Sequence, residues 1–430
     1  MKKKTALVFY YTQENRYSYH ALTGALEKEE SLSELDIFFL PKEDMFLSEL
    51  PCILQKYEKV VIGISFATTQ LWTTALLMST IKKIQKNFPD SCYCIAGGPH
   101  PTGDPIGTLK LGFDFVAIGE GEETLIELLQ KISQEESYKE VKGIAFYDEQ
   151  GQLVFQPRET LVDLDRYFPF SVKYHKYGAM EITRGCPYAC NYCQTSHIFG
   201  TRMRHRSIEK ICEFMQEIIV EHPTVLRFVT PNAFSYGQSL QDLEALLFAL
   251  KKSLPSFTKI FIGTFPSEVR PDSVSQEAID LLLRYACNDN LTIGAQSGSQ
   301  RMLELSHRGH TVEDIYRSVD LTRKANLNAN VDFIFGMPDE TEEDIRQTIE
   351  VMQDLVTMGA KIHAHAFLPL PQTAWKKASY AKITPALRKN MERLISQGNL
   401  FGNWYKQYRL SKKIFQYLCT GELSHDCKLG

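Results

Sequence analysis

Three cysteines crowd together in Cys186-Pro187-Tyr188-Ala189-Cys190-Asn191-Tyr192-Cys193, while the other seven of the chain's ten are scattered. A CxxxCxxC spacing lets one short loop aim three thiolates at a single iron–sulfur cluster. Three protein ligands on four irons leave one iron open to a small molecule. Zinc is the competing reading, but structural zinc sites favour CxxC pairs and four protein ligands. Cys186, Cys190 and Cys193 are therefore expected to carry a 4Fe-4S cluster with one open position.

Other residues offer weaker chemistry. His363 and His365 alternate on an apolar stretch, so as strand residues they share a face and either position substrate, relay protons or serve as hydrogen-bonded structural histidines. His100, between Pro99 and Pro101, is either a ligand-facing residue or a turn residue. Cys92 and Cys94 suit an apolar strand, and Cys52, Cys212 and Cys287 read as ordinary core or surface residues. Cys419 and Cys427 are too far apart for a compact site. The glycines of Gly97-Gly98-Pro99-His100-Pro101 and Gly119-Glu120-Gly121-Glu122 lack the GxGxxG dinucleotide spacing.

The elements that must position these groups follow from the pattern of apolar residues. A length of 430 residues suggests two or three domains. Residues 1–135 alternate strand and helix: Ala6–Tyr11, Leu35–Leu40, Val60–Phe66, Cys92–Ala96 and Phe113–Ile118 read as strands, with helical stretches such as Leu71–Lys86 between them. That is a doubly wound, flavodoxin-like α/β domain, with the glycine clusters at the ligand-binding carboxyl ends of its strands. Residues 136–175 read as a linker with a hairpin around Asp148–Gly151. Residues 176–370 resume the alternation, with strands at Met180–Thr183, Arg227–Thr230, Ile260–Thr264, Leu291–Ala295, Asn330–Phe335 and His363–Leu368. Six βα units make a partial parallel barrel. After Pro371 only helical patterns are expected, over residues 371–430.

Composition narrows the function class. The chain is 43% hydrophobic and 23% charged, which excludes disorder, and no apolar run reaches the ~18 residues of a membrane span. The opening Met1–Tyr11 lacks a small-residue cleavage site, so it is expected to be a buried strand and not a signal peptide. A cytoplasmic location suits a chain whose cysteines serve metal chemistry. The net charge of −4 disfavours a dedicated nucleic-acid binder. Between Lys376 and Leu418, however, ten basic residues face one acidic residue, Glu392. That segment is either a solvated helical cap or a handle for an acidic partner such as RNA.

The cysteine motif, with Tyr192 before its third cysteine, resembles the radical S-adenosylmethionine (SAM) superfamily. The resemblance implies that the open iron chelates SAM and that one electron, from a donor such as flavodoxin or ferredoxin, cleaves it to a 5′-deoxyadenosyl radical. It continues through Arg227–Phe234, where Asn232 stands in the segment that meets the methionine amino group but departs from the usual acidic residue. Ile293–Ser299 is similar to the segment meeting the methionyl or ribose part, with Gln296 and Ser297 as candidates. Glu304, Arg308-Gly309-His310 and Asp332–Thr341 extend it, with Gly336 expected to let backbone approach the adenine. Residues Gly97–Thr102, Gly112–Val116 and Gly119–Glu122 resemble the cobalamin-binding domain that precedes many such barrels. This implies Gly97, Gly98, His100, Gly119, Glu120 and Gly121 as cobalamin contacts. The DxHxxG histidine motif is absent, so no lower imidazole ligand to cobalt is expected from it.

The function expected is a cobalamin-dependent radical SAM methyltransferase acting on an unreactive carbon of an unidentified substrate. Alternatives are a radical rearrangement or cyclisation without methyl transfer, and a non-enzymatic corrinoid or iron–sulfur carrier. An RNA methylthiotransferase is disfavoured because its extra N-terminal cysteines and C-terminal RNA-binding barrel are missing.

Overall fold

The computed structural model describes residues 3–221 and 224–423. Cys427 lies outside the described residues. The chain divides into two compact units, Met1–Gly178 and Ala179–Gly430.

In the first unit β1 (Lys3–Tyr10), β2 (Asp36–Leu40), β3 (Tyr57–Ser65), β4 (Cys92–Gly97) and β5 (Phe115–Ala117) form a parallel sheet in the order 2-1-3-4-5. That is the flavodoxin-like order, in which a right-handed crossover reverses direction beside β1. Residues such as Leu7, Val61, Val60 and Ile62 are wholly buried because helices cover both faces, so these strands read as unbroken apolar runs. Residues 136–175, expected as a linker, belong to this unit. Their hairpin, β6 (Ile144–Tyr147) and β7 (Leu153–Gln156), adds two antiparallel strands to the sheet beyond β5. The segment then returns to the helix Arg16–Glu27, where the Glu27 carboxylate accepts the Val172 N–H at 3.0 Å. Gly24 permits this approach, since a Cβ there would lie 2.3 Å from the Phe170 carbonyl oxygen.

Two histidines of this unit are held uncharged. His20 is 2% exposed and meets the Tyr11 hydroxyl at 2.8 Å, and burial lowers its pKa to about 4. His100 is wholly buried beside Thr68, with burial likewise lowering it to about 4 against the opposing pull of Asp104. The unfolded chain takes up both protons near pH 6.5, so stability is present above that value and lost as pH falls toward 4. By pH 5 each histidine should cost on the order of 2 kcal/mol. Thermal melts at pH 7 and pH 5 check this, and His20→Gln should reduce the acid sensitivity; equal melting temperatures at both pH values would refute it.

In the second unit β8 (Met180–Glu181), β11 (Val225–Val229) and β12 (Lys259–Phe261) form one parallel group. A second group contains β13 (Asn290–Gln296), β14 (Asn328–Phe335), β15 (Lys361–Ala366) and β16 (Leu400–Phe401). A parallel bridge from Val269 to Ile293 links them into an open barrel. The expected first strand is split. Its second part, β9 (Thr183–Arg184), leaves the barrel and pairs antiparallel with β10 (Arg204–His205). The strands do not stop at Pro371 as expected, because β16 pairs with β15, and its two residues are too few to leave a pattern. The helix Trp404–Thr420 buries Trp404, Ser411, Ile414 and Tyr417 and leaves Lys406, Arg409 and Lys412 exposed. The basic residues named therefore lie on a solvated helix face. Among the described residues no helix is long and apolar enough to cross a membrane.

Candidate active site

The three cysteines follow β9 in a loop whose backbone is tied down on several sides. Gly185, at φ +91°, lies so close to Arg202 that a Cβ would fall 2.3 Å from its carbonyl oxygen. The Cys186 N–H donates to Gly200 at 3.1 Å, the Cys193 N–H to Cys190 at 2.9 Å, and the Asn191 N–H to Ser306 at 3.1 Å. Asn191 also donates through its side chain to Leu305 at 2.7 Å and accepts from Trp375 N–H at 3.1 Å. Such a loop keeps the thiols in place before any metal arrives.

The three thiols are spread wider than the ligands of a single ion. Around one zinc, thiolates at ~2.3 Å would stand about 3.8 Å apart. Among the described residues, the three cysteines are not a set whose ligand atoms all lie within 4.8 Å of one another. Burial raises the pKa of Cys186 and Cys193, so loading metal there must release protons.

A guanidinium sits directly behind this loop. Arg308 is 6% exposed and reaches Cys190 Sγ at 3.7 Å through Nη1 and the Gly294 carbonyl at 2.7 Å through Nη2. Burial alone would lower its pKa, but Tyr192, Cys190 and Glu268 outweigh that and keep it charged. Arg270 donates to the Arg308 carbonyl at 2.5 Å and stacks on Tyr188, its central carbon 3.4 Å from the ring centroid.

Beside the loop opens a cavity of about 270 Å³, lined by Tyr192, Glu268, Gln296, Asp332, His365 and Gln407 among others. Tyr192 turns its ring to this space, and its buried hydroxyl has no hydrogen-bond partner among the described residues. Burial pushes Glu268 up to about 7, with Arg308 pulling the other way and the neighbouring Asp332 adding to the rise.

The remaining expected contacts are distributed differently. Gln296 lines the cavity from the end of β13 at φ +72°. Ser297 is wholly buried against Thr348, at 3.4 Å, and is not among the cavity's lining residues. Asn232 braces a loop, accepting the Arg270 N–H at 3.1 Å and the Ser273 hydroxyl at 3.2 Å. Gly336 does admit a close backbone approach, but the neighbour is this chain's own Lys382, whose nitrogen would lie 2.6 Å from a Cβ. Sequence reasoning missed Glu268 and Gln407. Glu268 precedes Arg270 in a stretch without strand periodicity, and Gln407 lies on the surface-type C-terminal helix, so neither carried a signal.

At the carboxyl edge of the first unit's sheet, Gly97, Gly119 and Gly121 are half-buried, and the Gly119 N–H donates to the Thr102 hydroxyl at 3.1 Å. Gly98, at φ +97°, packs on Ser65 and Phe66. Glu120 is buried and turns inward, accepting the Val162 N–H at 2.7 Å. His100 is wholly buried in the short helix Pro99–Gly103, its ring Nδ1 3.1 Å from the Thr68 hydroxyl.

Residues 180–352 match the family model described as the radical SAM superfamily. An uncharacterised methyltransferase of Pyrococcus horikoshii is 27% identical over 337 residues, spanning 73% of this chain and 68% of that protein. Among solved structures, the radical SAM methyltransferase TsrM of Kitasatospora setae, with cobalamin and a [4Fe-4S] cluster bound, superposes with a TM-score of 0.68 at 18% identity. It covers 88% of this chain and 74% of TsrM. The cobalamin-dependent SAM radical enzyme OxsB, with aqua-cobalamin and SAM bound, gives 0.66 at 19% identity, covering 82% of this chain and 52% of OxsB. At these identities the likeness establishes the fold.

Proposed function

We propose that the chain, whose residues 180–352 match the radical SAM superfamily model, is a cobalamin-dependent methyltransferase acting on an unreactive carbon. The observation that carries the proposal is the pairing, in one chain, of a segment matching the radical SAM model with a flavodoxin-like unit that has half-buried glycines at its strand ends. The likeness to TsrM and OxsB, which span both units in their coverage, supports it.

When bound, the cluster and SAM supply radical chemistry and the corrinoid supplies the methyl group; the chain's own residues bind, orient and exclude water. Cys186, Cys190 and Cys193 would hold the iron, with Arg308 balancing thiolate charge from behind. Tyr192 and Gln296 would meet SAM across the cavity, and Glu268 would hold a proton there near neutral pH. Asn232, Ser297 and Gly336 would act one layer out, by fixing the loops that carry these groups. Gly97, Gly98, Gly119 and Gly121 would contact the corrin. The electron would come from a reduced protein donor such as flavodoxin or ferredoxin.

The test uses anaerobically reconstituted protein with cobalamin. Binding should give a cob(II)alamin electron paramagnetic resonance spectrum without the axial nitrogen splitting of a coordinated imidazole. A nitrogen triplet would refute the open lower face, and failure to bind corrinoid would refute the cobalamin assignment. With substrate, formation of S-adenosylhomocysteine in step with methylated product supports methyl transfer; its absence would favour rearrangement or cyclisation.

A further inference from the structure

Outside the cysteine loop, three other ligating side chains converge. Asp332 on β14 and His363 and His365 on β15 each offer one ligand atom, and these atoms all lie within 4.8 Å of one another. The sheet arranges this directly. Asp332 pairs with His363 in register, and the two-residue strand period brings His365 to the same face.

The separations are those of ligands around an ion. Asp332 Oδ1 lies 2.9 Å from His363 Nδ1, which lies 3.3 Å from His365 Nε2. With metal–ligand bonds of ~2.1 Å, such spacings subtend angles of about 90° and 105°. Two imidazoles and one carboxylate on one side of an ion select zinc or iron(II) over magnesium or calcium, and leave positions open opposite.

Metal-binding histidines are held from behind by further contacts. Here the Gln407 side-chain Nε2 donates toward His365 Nδ1 at 3.4 Å and its oxygen accepts the Ala366 N–H at 3.0 Å, so ion binding at His365 Nε2 requires that nitrogen to give up its proton. The His363 ring stacks on Phe401, with centroids 4.6 Å apart and planes 10° from parallel. Asp332 and His365 both line the cavity shared with Tyr192, Glu268 and Gln296, so the open positions face that space.

We propose that Asp332, His363 and His365 bind one divalent transition-metal ion of the zinc or iron(II) class, separate from the cysteine loop. Its open positions take an oxygen or nitrogen donor of the substrate. The ion is a binding anchor for the substrate and carries no electron.

Zinc ion alone is the probe. Full-length, cluster-loaded protein is dialysed anaerobically against buffered micromolar Zn²⁺, and zinc and iron per chain are measured together. Cluster loading blocks the cysteines from taking the zinc. The wild type should take up one zinc per chain, whereas Asp332→Asn and His365→Ala should lose at least about tenfold in affinity. Asp332→Asn keeps the side chain's shape, so it guards against misfolding of the histidine variant, and unchanged iron per chain reports an intact barrel. No zinc uptake by the wild type would overturn the proposal and leave a hydrogen-bonded network. Equal uptake by both variants would overturn it too, by placing the zinc elsewhere. Neither substrate nor corrinoid enters the measurement, so its failure is distinct from failure of the methyltransferase reading.

Discussion

Replacing Cys186, Cys190 and Cys193 together by Ala should reduce cluster iron to background and abolish 5′-deoxyadenosine formation from SAM. The loop supplies all three thiolates from eight consecutive residues, and its backbone is pinned to Gly200, Ser306 and Trp375 independently of metal. The fold around it should therefore survive, since no apolar core residue is removed other than the buried Cys190. The checks are iron content after anaerobic reconstitution, circular dichroism, and product formation with a chemical reductant. Four irons per chain in the triple variant would place the ligands elsewhere.

Arg308→Met should make the cluster markedly harder to reduce while leaving its three thiolates in place. A buried positive charge 3.7 Å from Cys190 Sγ favours the more negative, reduced state. At about 5 Å from the added electron and an effective dielectric of ~20, that attraction is on the order of 3 kcal/mol. Converted for one electron it corresponds to a potential lower by about 100–150 mV. A redox titration followed by electron paramagnetic resonance reads this directly. Arg308→Lys keeps the charge and should stay near the wild-type potential. If Met and Lys variants shift alike, the guanidinium acts through shape and not through charge.

How much of this was legible in the sequence depends on the range of the interactions concerned. The cysteine loop, the paired histidines of β15 and the parallel strands are local patterns, set by spacing and by the two-residue strand period, and they can be read without a fold. The unbroken apolar runs of β1, β3 and β4 likewise announce strands covered on both faces. Asp332 was visible as a residue, but its pairing with His363 is a register between β14 and β15 that no single segment encodes. Glu268 and Gln407 reach the cavity from stretches with no periodic signal of their own. His100, which the sequence leaves open between a ligand-facing and a turn residue, is wholly buried beside Thr68 and Phe66, a packing set by distant segments. The hairpin of residues 144–156 was recognised as a hairpin, but only the sheet edge beside β5 decides that it completes a domain.

The addition of β16 to the barrel's edge has a consequence for the order of synthesis. The wall bearing His363 and His365 is finished by residues made after it: Leu400 and Phe401 pair with β15, Gln407 secures Ala366, and the Ala381 N–H is held by the Ser411 hydroxyl at 2.8 Å. The cysteine loop and every other barrel strand are by then already translated. At ~5–20 residues per second, the roughly 36 residues from Pro371 to Gln407 take about 2–7 s to emerge. Throughout that interval the wall bearing His363 and His365 lacks its edge strand and its Gln407 contact, so this side of the cavity is completed only after the cysteine loop has been made.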